Sequence, residues 1–115
     1  MSYANNVVEH FFVLEVGGEV QACGGYYVSD KNTEANLVWG MVQQSKHGNG
    51  YGTALLKFRL MHIQKNFPKH SVILDTSQHT HHFFEKLGFV CWQITEHAYG
   101  EGLHRYDMRL PSDHL

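Results

Sequence analysis

The stretch His47-Gly48-Asn49-Gly50-Tyr51-Gly52-Thr53 decides how this chain is read. It lies between an apolar run, Leu37 to Val42, that reads as a strand and a longer segment, Thr53 to about Phe67, that reads as a helix. Three glycines at alternate positions let the backbone turn sharply and approach a ligand closely, because no Cβ stands in the way. The helix that follows opens with four N–H groups that have no partner inside the helix. A glycine-rich turn feeding a helix N-terminus is a ready seat for a phosphate-bearing ligand. Two common versions of that seat do not fit. A Walker loop ends in Gly-Lys-Ser/Thr, and here Thr53 follows Gly52 with no lysine between them. A dinucleotide fingerprint wants a glycine three positions after Gly50, where Thr53 stands.

The same stretch resembles the acetyl-CoA signature of the GNAT superfamily of acyl-CoA-dependent N-acyltransferases, Gln/Arg-x-x-Gly-x-Gly/Ala. His47 takes the Gln/Arg position, Gly50 the first glycine and Gly52 the Gly/Ala position. The surroundings agree: the run Leu37 to Val42 precedes it and Ala54-Leu55-Leu56 opens the helix. About thirty residues on, Phe83-Phe84-Glu85-Lys86-Leu87-Gly88-Phe89 is very similar to the family's Phe-Tyr-Glu-Lys-Leu-Gly-Phe segment. The resemblance spans roughly Phe11 to Leu110.

That resemblance implies acetyl-CoA as cosubstrate. Backbone N–H groups of His47, Gly48, Asn49, Gly50, Tyr51, Gly52 and Thr53 would surround its diphosphate, with the helix dipole favouring the charge. The pantetheine arm would run along Met41 and Val42, an N–H near Val42 would serve the oxyanion, and Phe84 would stand beside the thiol end. The implied reaction moves an acetyl group to a primary amine of a small molecule or an exposed protein amine. Two departures bear on the chemistry. The family's frequent tyrosine acid falls at Phe84, and the glutamate base of some members at Asn36. Glu34, two residues earlier on the same strand face, and His79 are the substitute candidates; each also reads as an ordinary solvated polar residue. Asp75 is either a turn cap or a group near the thioester. The alternatives to an enzyme are a non-catalytic acyl-CoA-binding module and an interaction protein that keeps only the scaffold.

Composition bounds the rest. At 115 residues, with 43% hydrophobic and 17% charged, the chain reads as one domain over residues 1–115 with its core at about 11–110. A net charge of −2 gives no reason to expect nucleic acid. Apolar runs of four to six residues fall far short of the ~20 needed to span a membrane. The polar first ten residues do not read as a secretory signal, so a cytoplasmic protein with Cys23 and Cys91 reduced is expected.

Ten histidines invite a metal reading, but helical spacing pairs His79 with His82 and turns His81 away, so no metal site is expected. The elements read as β-β-β-α-β-α-β-β, an α/β (α+β) fold with a mixed, mostly antiparallel sheet flanked by helices. The helices that usually precede the first hairpin of the family are missing from this pattern. An apolar sheet face would be left bare, and a homodimer is the economical way to cover it.

Overall fold

The computed structural model describes residues 8–29, 33–42 and 50–112, and of residues 8 and 39–42 the backbone alone. Six strands and two helices follow the expected order: β1 (Val8–Val16), β2 (Glu19–Val28), β3 (Glu34–Val42), α1 (Tyr51–Asn66), β4 (Ser71–Thr76), α2 (His81–Glu85), β5 (Val90–Gly100) and β6 (Leu103–Leu110). They form one sheet in the order β1-β2-β3-β4-β6-β5, in which only β3 and β4 run parallel. The first hairpin turns on Gly17 and Gly18, at φ 62° and 85°, the left-handed pair that a two-residue turn needs.

Strand alternation sorts the side chains. Tyr26 and Val28 of β2, Ala35 of β3, Val72 and Leu74 of β4, and Met108 and Leu110 of β6 share one face and form the core. α1 contributes Ile63 and the α2 segment contributes Phe84, Leu87 and Phe89 to that same cluster, so both helices cover one face. On the other face of β1, Phe11 and Val13 are 58% and 52% exposed. The uncovered face expected from the sequence is present among the described residues. No described helix is long and apolar enough to cross a membrane.

The sequence suggests an apolar face of Ala54, Leu55, Phe58, Met61 and Ile63 for α1, and the buried stripe is rotated from it. Leu55, Leu56, Arg59 and Ile63 are the buried residues, whereas Phe58 and Met61 are exposed. The spacing of Leu55, Arg59 and Ile63 is the true core row, and an arginine in it disguised the periodicity. The sequence suggests a second helix over roughly Thr80 to Leu87, but α2 ends at Glu85 before a turn that reaches Gly88.

An aromatic cluster joins α1 to the first hairpin. The Tyr26 hydroxyl is hydrogen-bonded to His62 Nδ1 (2.6 Å), and His10 stacks on the Tyr26 ring at 4.7 Å. His10 Nε2 is buried with no hydrogen-bond partner. Burial, and then the nearby His62, hold the His10 pKa below its ordinary 6.5, and burial pushes Tyr26 up to about 12. Between the folded His10 value and 6.5 the unfolded chain binds more protons, so stability rises with pH across that window. Thermal midpoints followed from about pH 7 to about pH 5 should therefore fall more steeply in the wild type than in His10→Phe. Equal slopes would show that this imidazole does not govern the loss.

Candidate active site

The site begins where two neighbouring strands stop pairing. β3 and β4 match at three positions only, Glu34 with Ser71, Ala35 with Val72 and Asn36 with Ile73. Past that point β3 stays paired to β2 and β4 to β6, leaving their facing edges apart. Between the matches Cys23–Met41 and Gly25–Val38, β3 carries Trp39 and Gly40 against the single Gly24 of β2. That extra residue is a bulge, which bends the strand that bears it. Met41 and Val42 lie beyond the bulge on the parted segment, as expected for a strand that offers unpaired backbone to a ligand.

The beginning of α1 completes the corner. Gly50 caps it in the left-handed conformation (φ 78°, ψ 9°), and the first helical bond runs from Ala54 N–H to Gly50 C=O at 2.9 Å. Tyr51, Gly52 and Thr53 are therefore the first turn of the helix, not the end of a loop as the sequence suggested. The glycine alternation hid this, because Gly52 is a poor helix former placed where helix propensity matters least. The opening N–H groups have no side-chain cap, and the first turn contains no acidic residue. Among the described residues of this helix start, no side chain compensates the dipole's positive end. His47, Gly48 and Asn49 lie outside the described residues.

One residue that sequence reasoning missed holds this corner together. Arg59, 6% exposed, donates from Nη1 to Gly25 C=O (3.1 Å) and Val38 C=O (3.3 Å). Burial lowers its pKa from the ordinary arginine value. Gly24 makes room for it, since a Cβ there would sit 2.9 Å from Arg59 Cζ. Gly25 is required for a different reason: a Cβ would lie 2.3 Å from the His10 carbonyl oxygen. A charged residue on an otherwise apolar helix row, facing a glycine pair on a strand, was the available signal.

On the outer face, beyond the last β3–β4 match, Asp75 accepts a hydrogen bond from the Tyr99 hydroxyl. Burial first, then that bond, raise the Tyr99 pKa well above its ordinary value. Asp107, directly opposite Asp75, is held by Arg105 through Nε at 3.0 Å and Nη2 at 2.9 Å. Gln78 donates to Gly102 C=O (2.6 Å) and accepts from His104 N–H (2.9 Å), fixing the turn after β4 to the last hairpin.

The acid–base candidates are not brought together. Glu34 stands opposite Ser71 at the closed end of the β3–β4 pair, and His79 lies exposed in the turn past Thr76. β4 separates them by roughly 17 Å, at ~3.3 Å of rise per residue. Phe84 packs edge-on against Phe89 at 5.7 Å, on the edge of the core.

A groove of about 500 Å³ lies on the helix-free side of the first three strands, lined by Glu9, Phe11, Gly25, Tyr27 and Val38 among others. Of the adjacent tyrosines, Tyr26 is fully buried and Tyr27 faces this groove, the division that strand alternation implies.

Residues 8–91 match the family model described as "Acetyltransferase (GNAT) domain". The chain belongs to the GNAT acetyltransferase family. No curated protein matches it in sequence. Its fold is similar to that of an acetyltransferase from Bacillus cereus, with a TM-score of 0.82 at 16% identity over 93% of this chain and 75% of that one. The ribosomal-protein-S18-alanine N-acetyltransferase from Escherichia coli superposes with a TM-score of 0.79 at 23% identity, over 90% of this chain and 68% of that one. An aminoglycoside 6'-N-acetyltransferase complexed with coenzyme A gives 0.79 at 16%, over 90% and 73%.

Replacing Arg59 by Met removes the donor of two interior carbonyls and should cost about 2–3 kcal/mol. Urea denaturation measures this; an unchanged midpoint would show that the carbonyls find other partners. A Gly50→Glu change, which puts a negative charge beside the uncapped amides, should weaken coenzyme A binding by at least about tenfold. Gly50→Ala, with open space around its Cβ, tests the left-handed cap separately through a loss of thermal stability.

Proposed function

We propose that this GNAT domain is an N-acetyltransferase that moves an acetyl group from acetyl-CoA to a primary amine of a small molecule or an exposed protein amine. The observation that carries this reading is the meeting of the parted β3 edge with the uncapped start of α1. The amides of Gly50, Tyr51, Gly52 and Thr53, with His47, Gly48 and Asn49 before them, would hold the diphosphate. Met41 and Val42 would bond the pantetheine, and Phe84 would pack near its thiol end. The acetyl group then sits in the gap, and the amine approaches from the helix-free face, where the groove beside Val38 carries Glu9 and Tyr27. A carboxylate in that position favours a cationic acceptor.

The cationic amine first gives up a proton; its free nitrogen attacks the thioester carbon, the carbon–sulfur bond breaks, the nitrogen loses a second proton as the amide forms, and the thiolate of coenzyme A leaves and takes up one proton. His79, exposed at the open end of β4, is placed to exchange protons with solvent there. Glu34 would act from the closed end, on the face that it shares with Asn36 and the groove. Phe84 has no proton to give, so positioning and the oxyanion donor near Val42 would supply most of the rate. We further propose a cytoplasmic homodimer, in which a second copy covers Phe11 and Val13 and walls the groove.

One feature favours a second reading, an acyl-CoA-binding module without turnover. Neither the Phe84 nor the Asn36 position can move a proton. Two measurements decide. Calorimetry with acetyl-CoA should show saturable binding, and silence at millimolar ligand would leave neither reading standing. A thiol-release assay over a panel of amines should show turnover with at least one of them. Binding with no release from any amine would select the module. In the enzyme, His79→Ala and Glu34→Gln should lower kcat with little change in the affinity for acetyl-CoA.

A further inference from the structure

The geometry points to a divalent transition-metal site of the zinc class on α2, formed by His81, His82 and Glu85; it is independent of the acyl-transfer reading. Helical spacing suggested that His79 and His82 would share a face, but the structure instead brings His81 to His82. Their ring centroids are 3.9 Å apart, and both Nδ1 atoms face one carboxylate oxygen. Glu85 Oε1 lies 2.8 Å from His82 Nδ1 and 3.4 Å from His81 Nδ1, and the three ligand atoms all fall within 4.8 Å of one another. Two ligand atoms bound tetrahedrally to zinc at its usual bond lengths are about 3.3 Å apart, so a small adjustment of these side chains would seat an ion.

The hydrogen-bonding state of the trio leaves a place for a cation. His82 Nδ1 donates to Glu85 Oε1, but His81 Nδ1 is shut off from water and makes no hydrogen bond. Its ring is stacked on Tyr106 at 4.3 Å, which fixes the direction of that nitrogen. A buried nitrogen without a hydrogen bond carries a desolvation cost, and coordination would remove it. His82 is 78% exposed at its side chain and gives the ion a way in.

His10 Nε2 and His70 Nδ1 are also buried without a hydrogen bond, but among the described residues only His81 has two further ligand atoms beside it. His62 Nδ1 is hydrogen-bonded to Tyr26, His97 Nδ1 accepts from Gly102 N–H, and His104 Nδ1 from His97 N–H. Two imidazoles and one carboxylate suit zinc or its neighbours rather than magnesium or calcium, and water would fill the fourth position. An ion so held ties the first residue of α2 to its last and should raise the thermal midpoint.

The test is calorimetry of the metal-free full chain with zinc chloride, paired with the visible spectrum of the cobalt(II) form. A single ion per chain and the intense bands of tetrahedral cobalt are expected. His82→Ala and Glu85→Gln, both at exposed positions, should each weaken zinc binding by about tenfold or more, judged against ordinary losses at metal sites. His97→Ala should leave it intact. Circular dichroism checks that the variants fold; should His82→Ala not, Glu85→Gln alone carries the test. Absence of saturable binding at millimolar zinc would overturn the proposal. So would equal affinity in folded Glu85→Gln, which would place the ion elsewhere among the histidines.

Discussion

The architecture depends on keeping β3 away from β4 after three matched residues, and Arg59 is what makes that separation tolerable. A bulge in the middle of a sheet takes carbonyl groups out of the ladder, and an interior carbonyl without a donor costs about 1–3 kcal/mol. The guanidinium from α1 supplies donors to Gly25 and Val38, the matched pair that borders the bulge. Those two carbonyls belong to neighbouring strands, so one side chain stitches β2, β3 and α1 together at the place where pairing with β4 is given up. Gly24 follows from this: its missing side chain is the space the guanidinium occupies. The helix is thereby fixed in register against the strand, and its N-terminus with it.

Most of the element order could be read from the chain because its punctuation is strong. Gly17-Gly18 fits only a tight hairpin turn, and Pro68 follows directly on the end of α1. The strand before the glycine-rich stretch was under-read, since Glu34 and Asn36 are polar and hid its first turn of alternation; burial of Ala35 between them shows that they belong to it. The start of α1 was misread by two residues for the opposite reason, a glycine sitting inside a helix. The helix's buried row was misread because hydrophobicity was used as the sign of burial, and the residue that matters most there is charged. Side chains that act across the fold, Arg59 on Val38 or Tyr99 on Asp75, leave no local trace at all, since 21 and 24 residues separate the partners.

The one-sided covering of the sheet follows from the connections. A parallel step from β3 to β4 through α1 must place that helix on a fixed side, because such crossovers are right-handed. α2 leaves β4 and packs against Phe89 and Met108 on the same side, so every described helix serves one face. The outer face is then left with Phe11 and Val13 on one flank and the Asp75–Tyr99 and Asp107–Arg105 pairs on the other. The charged pairs thus occupy the middle of this division, with exposed apolar side chains to both sides, Phe11 and Val13 on β1 and Val90, Trp92 and Ile94 on β5, and the groove beside Val38 lies on the β1 flank.

That division bears on how such a domain can work with so few proton-moving groups at the gap. The contacts that would bind the diphosphate and pantetheine are backbone amides and carbonyls, which side-chain substitution leaves in place as long as the bulge and the helix start survive. Proton transfer has no such protection, because it rests on individual side chains. Replacing a hydroxyl by hydrogen at Phe84 leaves a ring that still packs on Phe89, so the fold has no means of opposing the change. The Tyr99 hydroxyl is committed to Asp75 and holds its proton more tightly than a free tyrosine, which suits it to orient a neighbouring carboxylate rather than to titrate. The parted strand therefore depends on Arg59, Gly24 and Gly25, whereas side chains around the gap can change without disturbing it.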